Sequence, residues 1–180
     1  MTYGGYKMLP YNKNLDLEFK KENLKTIYLA GGCFWGTDAY MARVHGVAAT
    51  ESGYSNGNVP LPVTYEEVYT DATGYAEVVK VVYDVTRVTL AEILDEFFSI
   101  TDPTTLNKQA EDEGTRYRSG LYYEDEADIP ILEAAIARIQ TKYEAPIVTT
   151  IEPITNYQPA EEYHQNYLEK NPNGYCHVTF

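Results

Sequence analysis

Thr26-Ile-Tyr-Leu-Ala-Gly-Gly-Cys-Phe-Trp-Gly36 is the stretch on which the fold turns. Residues 26–30 form a short apolar run suited to a buried strand. Gly31 and Gly32 break it, and from Cys33 to Val44 the apolar positions, among them Phe34, Met41 and Val44, take helical spacing. Outward from this strand–turn–helix the alternation continues. Residues 47–54 read as a second strand, 55–64 as a Gly/Asn/Pro-rich loop, and 65–69 as a helical turn or short strand. Residues 75–84 are the clearest strand, with Val78, Val79, Val81 and Val82. Residues 89–100 form an amphipathic helix with Leu90, Ile93, Leu94, Phe97 and Phe98 on one side. A polar loop (102–118), a strand (119–123), a helix (129–143) and a strand (147–151) follow. Residues 159–170 read as a last helix, with Pro159 tolerated in its first turn, before an irregular tail. Alternation without repeats predicts one mixed α/β sheet with helices packed on it. Residues 1–24 are polar and read as an N-terminal extension to a domain spanning 25–180.

Composition narrows the function classes. The 180 residues carry a formal charge of −13, with 18 tyrosines. An acidic chain repels phosphate backbones and anionic lipid heads, so nucleic acid and membrane surfaces are not expected partners. No apolar run approaches the ~20 residues that span a bilayer, and the N-terminus has no signal-peptide core. A cytoplasmic protein is expected. There, a permanent disulfide between the two cysteines, Cys33 and Cys176, is disfavoured.

Cys33 falls where a strand turns into a helix. A helix N-terminus exposes unpaired N–H groups and partial positive charge, which stabilise a thiolate, the nucleophilic form. The competing reading is an inert buried thiol. Phe34 and Trp35 are either core aromatics or an apolar wall beside the nucleophile. Strand alternation puts Glu77 on one face with Tyr75, Val79, Val81 and Tyr83. Burial there raises its pKa and makes it a candidate general acid; an exposed strand end is the alternative. The hydroxyls of Tyr65 and Tyr117 are candidate donors to a developing oxyanion. His164, among carboxylates on an expected helix, reads as a surface residue. Cys176, in a Gly/Pro/Asn-rich tail, is suited to attack an oxidised Cys33. No Cys-x-x-Cys or His-x-x-x-His spacing exists, so no metal site is expected.

Gly32-Cys-Phe-Trp-Gly36 resembles the signature of the A-type peptide methionine sulfoxide reductases. Tyr65-Glu-Glu-Val68, Thr73-Gly-Tyr-Ala-Glu77, Gly114-Thr-Arg-Tyr-Arg-Ser119, Ala160-Glu-Glu-Tyr-His164 and Asn171-Pro-Asn-Gly-Tyr-Cys176 are similar to further blocks of that family, in the same order. The resemblance covers residues 25–177. It implies an α+β fold, a two-layer sandwich with a ferredoxin-like mixed sheet core and long loops. It also implies that Cys33 attacks the sulfoxide sulfur while Glu77, assisted by Tyr65 and Tyr117, protonates the oxygen. Cys33 becomes a sulfenic acid, Cys176 condenses with it, and thioredoxin reduces the disulfide, with no bound cofactor. Phe34 and Trp35 would hold the S-methyl group and select the S epimer, with Asp112 and His164 near the substrate backbone. The implied partners are thioredoxin and oxidised proteins or peptides, and the implied state is a monomer.

Three positions depart from the family pattern. Tyr75 stands where histidine is usual, Asp38 replaces a common glutamate, and the loop before Tyr65 is one residue longer. The tail lacks the Gly-rich extension with a further cysteine. Two rival functions use the same residues. A two-cysteine peroxidase would want an arginine beside the thiolate rather than Glu77 and an aromatic wall. A tyrosine-rich peptide-binding module would survive Cys33→Ser.

Overall fold

The computed structural model describes residues 2–3, 6–7, 9–174, 178 and 180. Its central strands are β1 (Leu24–Ala30), β2 (Val47–Ser55), β3 (Ala76–Asp84), β4 (Gly120–Tyr123), β5 (Thr150–Pro153) and β6 (Gln158–Pro159). The helices are α1 (Phe34–Ala42), α2 (Tyr65–Tyr69), α3 (Leu90–Ser99), α4 (Ile129–Gln140) and α5 (Tyr167–Lys170). Among the described residues the sheet runs in the order β6-β2-β3-β1-β4-β5. Every pairing is antiparallel except β4 with β5. The succession β1-α1-β2-β3-α3-β4, with spatial order β2-β3-β1-β4, is the split βαβ arrangement of ferredoxin-like folds. The expected α+β sandwich is therefore the observed one.

Strand alternation separates two cores. Ile27 and Leu29 of β1, Val79, Val81 and Tyr83 of β3 and Leu121 of β4 face the helices, packing with Met41 of α1, Phe97 of α3 and Leu132 of α4. Tyr28, Ala30, Ala76, Val78 and Tyr122 turn to the other face, beneath Ile154 and Tyr157. Helix α3 starts where its sequence dictates. Glu92 N–H donates to Thr89 Oγ1 at 3.1 Å and Thr89 N–H to Glu92 Oε1 at 3.2 Å, a reciprocal cap that satisfies two orphan donors. Its stripe Leu90, Ile93, Leu94, Phe97 and Phe98 is buried as expected. The N-terminal segment is stitched to the end of α1. Asn14 Nδ2 donates to the Ala42 and Val44 carbonyls (2.9 and 2.7 Å), and Gly46 N–H donates to Asn14 Oδ1 at 3.0 Å.

Two expected elements are corrected. Residues 159–170 are not one helix. Pro159 pairs with Gly53 at the sheet edge, Glu162–His164 form a 3-10 turn, and only Tyr167–Lys170 are α-helical. The chain is pulled out of helical geometry by Gln165, whose side chain binds both Ser52 N–H (2.9 Å) and Ser52 C=O (2.8 Å). Asn166 follows in the left-handed region at φ 51°, its N–H donating to buried Asp38 at 3.3 Å. The expected strand at 147–151 forms later, at Thr150–Pro153. Before it, Ile147 N–H is taken by Gln140 Oε1 at 2.9 Å and Val148 N–H by the Pro103 carbonyl at 2.8 Å.

Candidate active site

Cys33 sits at the N-cap of α1 with extended backbone angles (φ −61°, ψ 127°) and is 7% exposed. The turn into it needs its glycines. Gly32 has φ +82°, and a Cβ on Gly31 would lie 2.8 Å from both Phe97 and Thr101 of the neighbouring layer. Gly32 N–H donates to the Tyr117 carbonyl at 3.3 Å, which ties the cysteine turn to the 3-10 turn Thr115–Tyr117.

Glu77 approaches from β3. Its Oε1 accepts the Phe34 N–H at 3.1 Å, one peptide beyond Cys33. The carboxyl is 2% exposed, on the helix-facing side that alternation assigns to it. Burial pushes its pKa up to about 8. The Phe34 N–H and the Arg116 charge pull it down, while Asp112 and Asp71 add to the rise. Oε2 is buried without a hydrogen-bond partner among the described residues. Glu77 is therefore largely protonated at neutral pH, with one oxygen available to deliver the proton.

Two phenols complete this side. Burial holds the Tyr65 hydroxyl un-ionised, reinforced by the neighbouring acidic groups Glu77, Tyr117 and Cys33, whose ionisation opposes its own, with Arg116 acting the other way. Tyr117, 6% exposed, is kept protonated by burial and by Glu77, with Arg116 acting the other way. The fold thus gathers Cys33, Tyr65, Glu77 and Tyr117 from α1, α2, β3 and the Thr115–Tyr117 turn. Thr64 caps α2 by accepting Glu67 N–H at 3.2 Å. Glu161 fixes the start of the helix, accepting Tyr65 N–H at 2.9 Å and the Tyr54 hydroxyl at 2.7 Å.

The aromatic side is built around His164. Against the expectation of a surface histidine, His164 is 1% exposed. Rings of Phe34 (5.2 Å), Trp35 (5.8 Å), Tyr65 (4.4 Å) and Tyr163 (4.0 Å) surround it, by centroid distance. Its 3-10 turn points the ring inward, which a continuous helix would not have required. Trp35 Nε1–H donates to His164 Nδ1 at 3.0 Å, so the neutral ring carries its proton on Nε2. Burial lowers the His164 pKa, with Glu161 and Glu66 partly opposing. Trp35 stacks on Tyr167 with centroids 3.7 Å apart and planes 10° apart. Phe34, 1% exposed, packs on Tyr54 at 5.8 Å.

Asp112 lies in a two-residue strand, Asp112–Glu113, paired with Lys108–Gln109, within electrostatic reach of Glu77 and Tyr117. Cys176 lies outside the described residues. Of its near neighbours, a Cβ on Gly174 would lie 2.8 Å from the Tyr167 ring, and Val178 lines a cavity with Phe98 and Thr101. Among the described residues no group of three or more His, Cys, Asp or Glu side chains could hold a metal ion. Among the described residues no helix is long and apolar enough to cross a membrane.

Sequence reasoning missed Glu161, Tyr54, Tyr167 and the Arg116–Asp71 ion pair (2.8 Å). Glu161 and Arg116 stand inside the motif blocks that carry the resemblance, which is the signal that could have found them. Asp71 and Tyr54 carry no local signal, because their partners are distant in the chain.

Residues 25–180 match the family model described as peptide methionine sulfoxide reductase. The peptide methionine sulfoxide reductase MsrA of Clostridium acetobutylicum is 51% identical over 155 residues, covering 86% of this chain and 95% of that protein. Among solved structures, Mxr1 from Saccharomyces cerevisiae in reduced form superposes with a TM-score of 0.83 at 42% identity, covering 91% of this chain and 95% of that one. Mxr1 in complex with Trx2 matches with a TM-score of 0.59 at 33% identity, covering 84% and 89%. With a thiol at a helix N-cap beside a neutral buried carboxyl, and relatives of this similarity over nearly its whole domain, the chain belongs to the A-type peptide methionine sulfoxide reductases, oxidoreductases that act on methionine sulfoxide.

Proposed function

We propose that this chain reduces methionine-S-sulfoxide, protein-bound and free, through a Cys33 sulfenic acid and a Cys33–Cys176 disulfide that thioredoxin recycles. The observation that carries the reading is the Glu77 carboxyl, buried and bonded to the Phe34 N–H beside Cys33, with a pKa of about 8. An attack on sulfoxide sulfur needs a nucleophilic sulfur and a proton donor at once; Cys33 stands at the N-cap of α1, where a thiolate is favoured, and Glu77 is the proton donor beside it.

The Cys33 thiolate attacks sulfur as Glu77 transfers its proton to the sulfoxide oxygen, with Tyr65 and Tyr117 donating hydrogen bonds to that oxygen. The oxygen passes to Cys33 as sulfenic acid and methionine departs reduced by two electrons. The Cys176 thiol then attacks the Cys33 sulfur, water leaves, and the disulfide holds the two oxidising equivalents. A thioredoxin dithiol removes them. The Mxr1 structure in complex with Trx2 supports this kind of partner.

Phe34 and Trp35 form the apolar seat for the S-methyl group, Trp35 braced by Tyr167 and His164. His164 Nε2–H is buried without a partner among the described residues, a donor suited to a substrate carbonyl. Asp112, within electrostatic reach of Glu77 and Tyr117, is a carboxylate suited to accept from a substrate N–H. The domain acts in the cytoplasm as a monomer, without a bound cofactor. The test is a coupled assay with thioredoxin, thioredoxin reductase and NADPH on each sulfoxide epimer. Turnover of the S epimer is expected. Activity on neither epimer removes the reading, and activity on R alone removes the A-type stereochemistry.

A further inference from the structure

Arg116 is a buried cation in a site whose chemistry needs only a thiolate and an acid. Its residue exposure is 7%. The guanidinium donates from NH1 to Asp71 Oδ2 at 2.8 Å and to the Tyr69 carbonyl at 3.1 Å, and the Arg116 N–H donates to Asp71 Oδ1 at 3.2 Å. It also lies 4.1 Å from the Tyr69 ring centroid and 4.3 Å from that of Tyr117, inside the range where a cation is held by a ring. Room for this pair is made by Gly114. At its φ of +140°, an added Cβ would fall 2.5 Å from Asp71 Oδ2 and 2.6 Å from Arg116 NH1.

We propose that the Arg116–Asp71 pair is a positioning device for the proton-donor half of the site, clamping the Tyr117 ring and setting the charge beside Glu77. The proposal rests on the reading of Glu77 as proton donor. Two consequences follow from one guanidinium. Its flat face fixes the ring whose hydroxyl is aimed at the sulfoxide oxygen, and a lysine has no such face. Its charge opposes those of Asp112 and Asp71 at the Glu77 carboxyl. Among the described residues, the other groups around Glu77 are the Phe34 N–H and Cys33 at the start of α1, Tyr65 of α2, Tyr54 of β2 and Tyr117 itself.

The two halves of the pair therefore act on Glu77 in opposite directions. The test is the pH dependence of kcat on methionine-S-sulfoxide for the wild type, R116Q, R116K, D71N and E77Q. Glu77→Gln identifies the limb that belongs to Glu77, since that limb vanishes with the carboxyl. Arg116→Gln should move this limb up by roughly one pH unit and lower the kcat plateau by about tenfold through a looser Tyr117. Arg116→Lys should lower the plateau while leaving the limb in place. Asp71→Asn should move the limb down. A limb that stays fixed in both R116Q and D71N, or moves the same way in both, overturns the inference. So does R116K with a wild-type plateau. If Glu77→Gln keeps the alkaline limb, the proton-donor reading itself fails, a result distinct from either. Should R116Q not fold, R116K and D71N still carry the comparison.

Discussion

Replacing Glu77 by glutamine should make the protein more stable and nearly inactive, and the size of the first effect follows from burial. Glu77 ionises at 4.5 when unperturbed and about 8 in the fold. Its raised value means that folding favours the neutral form. The associated stability is fully present below about pH 4.5 and is lost as pH rises through about 8. A tenfold change in an ionisation equilibrium is worth ~1.4 kcal/mol, so the loss reaches about 3 kcal/mol at pH 7 and about 5 kcal/mol when complete. Solvent screening removes little of this, because the residue is 2% exposed. Glutamine is neutral throughout and its oxygen can still accept the Phe34 N–H. Its amide N–H groups add a pH-independent cost of about 1–2 kcal/mol if they find no acceptor. The variant's advantage should therefore widen by about 3–4 kcal/mol between pH 5 and pH 8. Urea unfolding of both proteins at several pH values measures it, and in the same variant kcat should fall by about 10²–10⁴ through loss of the proton donor. Parallel stability curves, or a variant that turns over normally, would refute the assignment of a neutral, proton-donating Glu77.

Three further outcomes are expected. Cys176→Ser should complete about one turnover with thioredoxin and then stall, as read by methionine released per protein; steady turnover would remove Cys176 from recycling. Tyr75→Phe deletes a hydroxyl that donates to the Val59 carbonyl at 2.6 Å beneath the loop leading to Tyr65. It should cost about 1–3 kcal/mol in urea unfolding, and an unchanged midpoint would show that the hydroxyl does not hold the loop. Phe97→Ala empties a fully buried position beside Gly31 and should cost about 3–5 kcal/mol; a loss below about 1 kcal/mol would mean that the core closes around the gap.

What was legible in the sequence was local. Two glycines between an apolar run and a helical pattern announced the Cys33 turn, and period-two alternation put Glu77 on the apolar face of β3. Thr89 and Glu92, three apart before an apolar stripe, mark the start of α3 in hindsight. What was not legible depends on contacts between distant segments. His164 sits among carboxylates in sequence, yet its surroundings come from Phe34, Trp35 and Tyr65, which lie far back in the chain. The break in the last helix is imposed by Gln165 binding the backbone of Ser52 on β2, which no propensity of residues 159–170 encodes. Arg116 and Asp71 are each ordinary surface types until folding brings them together. The resemblance implies a ferredoxin-like core, but the strand order β6-β2-β3-β1-β4-β5 is visible only in the structure, since alternation fixes the number of elements and not their neighbours.

The most direct test of the central claim is a single-turnover experiment on the Cys176→Ser protein with methionine-S-sulfoxide and no reductant, followed by mass spectrometry of the Cys33 peptide. A Cys33 that takes the sulfoxide oxygen predicts one added oxygen on Cys33 for each methionine formed, or, with dimedone present, a thioether adduct that replaces that oxygen with loss of water, and neither product when Cys33→Ser is combined. Methionine formed without oxygen on Cys33, or formed when Cys33 is serine, would contradict it.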